Sequence, residues 1–92
     1  MVRMKTVKIV DSPKVAAILI DPMRRAILSI LADKDMTETQ LAQTLGLTES
    51  AVGHHLRILE KTELVKLVRK EPDPHGILQK FYRSCALYLV ID

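Results

Sequence analysis

The chain of 92 residues is long enough for one domain with a modest hydrophobic core. Its apolar fraction of 48% and charged fraction of 27% exclude a disordered chain, and its single cysteine, Cys85, excludes a disulfide framework within the chain. The net charge of +3 is mild, but the positive excess lies in residues 1–10 and 66–83, where it fits a nucleic-acid arm and a solvated strand equally well. We therefore predict a single domain over 1–92 in the reducing cytoplasm, without a signal peptide or membrane span.

Two short elements are predicted at the start of the chain. Residues 5–10 (KTVKIV) are rich in β-branched side chains and predict a strand. Ser12 before Pro13 predicts a helix over 13–20, because serine caps helices and the missing N–H of proline would have no partner in the first turn. The apolar face expected to contact the core is formed by Val15, Ile18 and Leu19.

A second helix is predicted to begin at Asp21 and Pro22, which repeat the same cap and proline signal. Arg24 and Arg25 lie off its apolar stripe. Two arginines on a helix fit either a solvated face or a contact with phosphate, and the sequence leaves both interpretations open. The stripe, which follows the helical period, is formed by Met23, Ala26, Ile27, Ile30 and Leu31.

The stretch 37–65 predicts two further helices joined by a tight turn. Thr37 and Gln40 form a capping box, so the first helix is expected to begin directly after the threonine. Gly46 ends that helix in a left-handed conformation, and Thr48 caps the next one. The pair has the spacing of a helix-turn-helix.

The polar face of the second of these helices is unusual for an ordinary surface. Small residues near its start let the backbone approach a base pair, and Arg57 can pair with guanine or phosphate. A polar face that simply contacts water has the same periodicity, so periodicity does not separate the two interpretations. The candidate DNA contacts on this helix are Thr48, Glu49, Ser50, Gly53, His54, Arg57 and Lys61.

After residue 65 the pattern changes to that of a β-hairpin. Residues 66–70 predict a strand, 72–76 a rigid turn, and 77–91 a long returning strand. Cys85 is expected to be a small buried residue within this strand. The hairpin carries cations where a wing would meet phosphates, namely Arg69 and Lys70 on one strand with Lys80 and Arg83 on the other.

The last run, 85–91, is nearly all apolar, and an exposed strand edge of that kind would aggregate. We expect this run, the strand 5–10 and the helix 13–20 to build the interface of a homodimer together. Such a dimer would set two recognition helices about one DNA turn apart. Alternatively, the run leads into a further C-terminal segment.

Five segments carry a family resemblance: 21–28 (DPMRRAIL), 39–42 (TQLA), 45–48 (LGLT), 50–59 (SAVGHHLRIL) and 80–83 (KFYR). With them, the chain resembles the ArsR-like winged-helix transcriptional regulators over roughly 13–83. The resemblance implies an α+β fold, mainly α, with three to four helices, a C-terminal hairpin wing and a short N-terminal strand. It also implies a dimer whose second motif helix, 49–61, lies in the DNA major groove while the wing, 66–83, contacts the backbone.

Two positions depart from the family pattern. Gly53 stands where many members have serine, so one hydrogen-bonding group is absent there. Residues 38–42 lack the cysteine pair of the metal-sensing members, which excludes a thiolate metal site of that type.

Other chemistry is weakly indicated. His54 and His55 point about 100° apart on a helix and cannot face one ion, and His55 is expected to pack or hydrogen-bond at the core edge. The loop residues Glu71, Asp73 and His75 are too few for a zinc site. Since no phosphate loop, activated nucleophile or carboxylate pair is present, we predict neither enzyme activity nor a cofactor. The alternative to DNA binding is a winged-helix module for protein association.

Overall fold

The computed structural model describes residues 7–10, 12–85 and 87–90. Parts of the predicted terminal strands, at Lys5, Thr6, Ala86 and Ile91, lie outside the described residues. No helix within the described ranges is long and apolar enough to cross a membrane. The elements in chain order are β1 (Val7–Val10), α1 (Pro13–Ile20), α2 (Pro22–Asp33), β2 (Met36–Thr37), α3 (Glu38–Leu45), α4 (Glu49–Lys61), β3 (Val65–Pro72), β4 (Leu78–Ser84) and β5 (Leu87–Val90).

The predicted start signals of α1 and α2 are confirmed. The Oγ of Ser12 accepts the N–H of Val15, and the carboxylate of Asp21 accepts the N–H of Met23 at 2.8 Å. Each cap satisfies a backbone donor that the first turn leaves without an intrahelical partner.

The two arginines of α2 hold the end of α1 in place. Their guanidinium groups donate to its last carbonyls, which have no partner within the helix. In this structure the two arginines thus have an internal role, although Arg25 is also exposed, and a contact of either with phosphate stays a prediction. The bonds are Arg24 Nη1 to the Ile18 carbonyl at 3.2 Å, and Arg25 Nη1 to the Leu19 and Ile20 carbonyls at 3.1 and 2.9 Å.

The core lies between α2, α3 and α4, and most predicted core positions are confirmed. In α2, however, the prediction of a buried Met23 is wrong: this side chain is 37% exposed, whereas Leu28, outside the predicted stripe, is buried. The reason is that β4 packs on that side of α2, where the Ser84 hydroxyl donates to the Leu28 carbonyl at 2.8 Å. The core cluster comprises Leu19, Ile27, Leu28, Leu31, Leu41, Ala42, Val52, Leu56, Leu59, Leu64 and Val65.

The capping box of α3 is formed in full. The Oγ1 of Thr37 accepts the N–H of Gln40 at 3.1 Å, and the Oε1 of Gln40 accepts the N–H of Thr37 at 3.0 Å. At the other end, Gly46 adopts φ 67°, a left-handed conformation in which glycine carries no steric penalty.

Replacing Thr37 by alanine is expected to lower the free energy of unfolding by about 1–2 kcal/mol, because the buried cap loses its acceptor. Urea unfolding followed by circular dichroism measures this loss. Thr44→Ala is the matched control, since Thr44 is exposed near the end of the same helix, and its replacement should change stability by less than about 0.5 kcal/mol. Equal effects of the two replacements would contradict the capping role.

The hairpin and a short third strand form a sheet in the order β2-β4-β3, antiparallel throughout. Strand β2, which has only two residues, was not predicted, because a segment this short has no periodicity. It pairs Met36 with Tyr82 and Thr37 with Phe81. The start of α3 is thereby fixed to the centre of β4.

The prediction of one returning strand over 77–91 is wrong. Strand β4 ends at Ser84, where it pairs with Val65, the first residue of β3, so the hairpin offers no further partner. Cys85 lies half-buried in a bend, not buried in a strand, and donates its N–H to the Leu64 carbonyl at 3.1 Å. Strand β5 then pairs in parallel with β1, from Val7 with Leu87 onward.

Candidate nucleic-acid interface

Helix α4 presents six of its seven candidate residues on the surface. Thr48 is the N-cap and accepts the N–H of Ala51 at 3.1 Å. Glu49 accepts a hydrogen bond from the Thr39 hydroxyl at 2.5 Å, which ties the start of α4 to α3. These two residues therefore also have structural roles. The exposed candidates are Thr48, Glu49, Ser50, His54, Arg57 and Lys61.

Gly53 is the exception, because it is buried and does not lie on the exposed face. A Cβ built at this position would lie 2.4 Å from Oε1 of Glu38 and 3.4 Å from Nη1 of Arg57. The carboxylate of Glu38, at the first turn of α3, thus occupies the space beside the glycine. Gly53 therefore lies beside Glu38 and is not exposed like its neighbours on the polar face, and a contact of its backbone with DNA stays a prediction.

The two adjacent histidines have different surroundings. His55 is half-buried, and its Nδ1 accepts a hydrogen bond from Nε of Arg24 at 3.3 Å, which confirms the prediction of a hydrogen-bonded residue at the core edge. His54 is exposed, with its ring centroid 5.7 Å from that of His55. Arg24 therefore connects α4 with the α1–α2 corner.

Two wing arginines are held by carboxylates of the same chain. Asp35 forms ion pairs with Arg69 and, at 3.2 Å, with Arg83. Arg69 also pairs with Glu71 at 3.1 Å, and its guanidinium lies 4.0 Å from the centroid of the Phe81 ring. The predicted phosphate contact of Arg69 would have to compete with these partners.

The lysines of the wing are arranged differently. Lys70 and Lys80 are directly opposite each other on β3 and β4, so their side chains leave the sheet on the same face. Both are exposed, and neither forms an ion pair with any residue in the described part of the chain. Like charges directly opposite in a sheet are destabilising. An anion bound between them would relieve that repulsion.

The tip of the wing is a rigid turn, as predicted for 72–76. The Oδ1 of Asp73 accepts the N–H groups of His75 and Ile77, each at 2.8 Å, and Gly76 has φ 81°. Ile77 is 65% exposed at this tip. The turn fixes the distance by which the wing extends from the domain.

A groove of about 500 Å³ separates α4 from the wing, and Arg57 lines it on one side and Lys80 on the other. Tyr82 also lines this groove. Burial raises the pKa of the Tyr82 hydroxyl, the carboxylates of Glu60 and Glu38 raise it further, and Arg57 partly opposes them. The hydroxyl therefore stays protonated at neutral pH and can donate a hydrogen bond.

Sequence reasoning missed two acidic residues of this surface, Asp35 and Glu38. Both act on residues far away in the chain, and no spacing rule connects them with their partners. No group of three or more potential metal ligands lies together among the residues that the structure describes.

Comparison with known proteins identifies relatives of this chain. The sequence model of the bacterial regulatory protein arsR family matches residues 21–66. The transcriptional repressor SdpR of Bacillus subtilis (strain 168) is 38% identical over 50 residues, which are 54% of this chain and 56% of that protein. The matched region therefore spans little more than half the length of that relative.

Two solved structures share the fold. Reduced HlyU from Vibrio cholerae N16961 is 28% identical with a TM-score of 0.65, over 76% of this chain and 67% of that one. A homodimeric winged helix-turn-helix DNA-binding domain from Mycobacterium bovis is 22% identical with a TM-score of 0.67, over 79% of this chain and 62% of that one. The predicted winged helix-turn-helix fold is confirmed.

Proposed function

Because the chain belongs to the arsR family of bacterial regulatory proteins, we propose that it is a homodimeric transcriptional regulator that binds double-stranded DNA sequence-specifically. The observation that carries this proposal is that exposed cations line both sides of one groove, Arg57 on α4 and Lys80 on the wing, with Lys70 exposed opposite Lys80 on the neighbouring strand. None of the three has an ion-pair partner in the described ranges. Phosphate groups and guanine edges are the anionic and acceptor surfaces that such cations bind.

In this proposal α4 lies in the major groove. Its N-terminal half carries the short side chain of Ser50 and the exposed ring of His54, so base edges can approach closely. Arg57 follows one turn later, where its donors reach the O6 and N7 atoms of a guanine. Lys61, near the end of the helix, contacts the phosphate backbone.

The wing contacts the neighbouring backbone. Lys70 and Lys80 bind phosphates there, and this binding relieves the repulsion between the two ammonium groups. Arg69 remains with Asp35 and Glu71 and supports the wing from the other face of the sheet. The wing thus supplies affinity that does not depend on sequence.

The dimer interface is proposed to involve α1 and the terminal strands, which correspond to the predicted segments 5–20 and 85–91. The exposed Ile20 at the end of α1, 69% accessible, supports an apolar contact there. The similar domain from Mycobacterium bovis is homodimeric. A two-fold axis would place two copies of α4 about 34–36 Å apart, one turn of DNA. We propose that the protein acts in the cytoplasm, where its DNA targets lie.

Measuring the dissociation constant against salt concentration tests this function. If each protomer contributes three or four phosphate contacts, the dimer should lose about three to four orders of magnitude in affinity between 50 and 200 mM salt. A fluorescently labelled duplex carrying a sequence selected from random DNA is the ligand, and a scrambled duplex is its control. Tighter binding to the selected duplex at every salt concentration is the expected result.

A winged-helix module for protein association is the second candidate. It is favoured by the exposed Ile77 and Leu78 at the wing, 65% and 56% accessible, which are apolar groups that a protein partner would cover. Under this alternative the duplexes would bind weakly or not at all in the same titration. Equal affinity for the selected and scrambled duplexes would contradict sequence-specific regulation.

A further inference from the structure

Gly53 leaves a gap in the surface of helix α4 because it has no side chain, and the side chain of Glu38 on α3 occupies this gap. The carboxylate oxygen Oε1 of Glu38 lies 2.4 Å from the point where a Cβ of residue 53 would stand. Real Cβ atoms essentially never have a neighbour this close. Glu38 therefore has this position only because residue 53 is glycine.

The gap brings opposite charges together at the edge of the exposed face of α4. Nη1 of Arg57 lies 3.4 Å from the same point beside Gly53. Glu38 and Arg57 nevertheless form no ion pair within 4.0 Å, among the side chains the structure describes. Both also line the groove between α4 and the wing. A donor and an acceptor are thus presented side by side, and each keeps atoms available for a ligand.

This combination matches the major-groove edge of one base pair. Guanine presents the acceptors O6 and N7, and its partner cytosine presents the N4 amino donor beside them. A guanidinium donates to the first set and a carboxylate accepts from the second. Thymine places the acceptor O4 at that point, and in adenine the N6 amino donor is flanked by the acceptor N7, which repels a carboxylate.

We propose that Glu38, through the gap at Gly53, determines sequence specificity by accepting a hydrogen bond from the N4 amino group of the cytosine paired with the guanine that Arg57 binds. This inference rests on the proposed function and adds a residue of α3 to the recognition surface. The carboxylate also repels phosphates, so it lowers affinity for every sequence and is compensated only where a cytosine amino group is available.

Glu38 also has a structural role that the experiment must separate, because a negative charge in the first turn stabilises α3. Glu38→Gln keeps the size of the side chain but changes its chemistry. An amide can both donate and accept, as adenine requires at its N7 and N6 atoms. A purely structural role would not change which base is selected.

Selection from random double-stranded DNA, followed by sequencing, compares the wild-type chain with Glu38→Gln and Gly53→Ala. Wild type is expected to select cytosine at one position, and Glu38→Gln should lower that preference about tenfold and admit adenine. Gly53→Ala should lower it as well without any change in net charge, because the new Cβ displaces the carboxylate. Glu63→Gln, an exposed residue outside the surface, controls for the loss of one negative charge and should leave the preference unchanged. Thermal melts establish that each variant is folded.

The outcomes separate the two proposals. If wild type selects a sequence and Glu38→Gln selects the same one with equal strength, the inference is overturned while the proposed function stands. A uniform gain in affinity for all sequences with Glu38→Gln would also overturn it, since Glu38 would then act only through its charge. If wild type selects no sequence, the proposed function fails, and the inference fails with it.

Discussion

Replacing Arg57 by alanine is expected to weaken binding to the selected DNA by about 1–3 kcal/mol, roughly 5- to 150-fold, and to blur base preference at one position. The reason is that Arg57 is exposed on α4, has no ion-pair partner in the described part of the chain, and lies beside Glu38. Random DNA should lose less affinity, because a base contact contributes little there. Fluorescence anisotropy with selected and scrambled duplexes measures both losses.

Lys70→Ala is the matched comparison for Arg57→Ala, since each removes one exposed cation from the same surface. The lysine change should weaken both duplexes alike and reduce the salt slope by about one for each protomer. A loss for Arg57→Ala that is equal on the two duplexes would assign this residue to phosphate binding instead of base recognition.

Replacing Leu59 by alanine is expected to lower the free energy of unfolding by about 2–5 kcal/mol. Leu59 is fully buried on the core-facing side of α4, so its truncation leaves a cavity between this helix and the core. Since each kcal/mol shifts the melting temperature of a domain this small by about 4–8 °C, the midpoint should fall by at least about 8 °C. Scanning calorimetry at a fixed protein concentration measures it, because a dimer melts at a concentration-dependent temperature.

Ile77→Ala controls for the loss of apolar surface in that experiment. Ile77 is 65% exposed at the wing tip, and its truncation should change stability by less than about 0.5 kcal/mol. Equal melting temperatures of the two variants would contradict a stabilising contact between Leu59 and the core.

The parts of the fold that sequence could predict follow from local chemistry. Ser12, Asp21, Thr37 and Thr48 each accept a hydrogen bond at the start of a helix, and Gly46 ends one in a left-handed conformation. These signals act within three or four residues, so they can be recognised without knowledge of the tertiary structure. The starts of the four helices and the end of α3 were predictable for this reason.

The parts that sequence could not predict depend on contacts between distant residues. Asp35 forms ion pairs with Arg69 and Arg83 of the wing, although both arginines are far from Asp35 in the chain. Glu38 covers Gly53 because α3 and α4 cross at that point. Nothing in either local sequence indicates these pairings, although they decide which partners Arg69, Arg83 and Gly53 have within the domain.

The parallel pairing of β1 with β5 has a consequence for the order in which the domain folds. This ladder joins Val7 to Leu87, so it closes a loop that contains almost the whole chain. Closing so long a loop costs more chain entropy than forming a helix pair or a hairpin. The α3–α4 pair and the wing can therefore assemble first, and the terminal ladder forms afterwards, once the rest of the domain has brought its two strands together. Hydrogen exchange during refolding should protect the amides of α4 before those of β5.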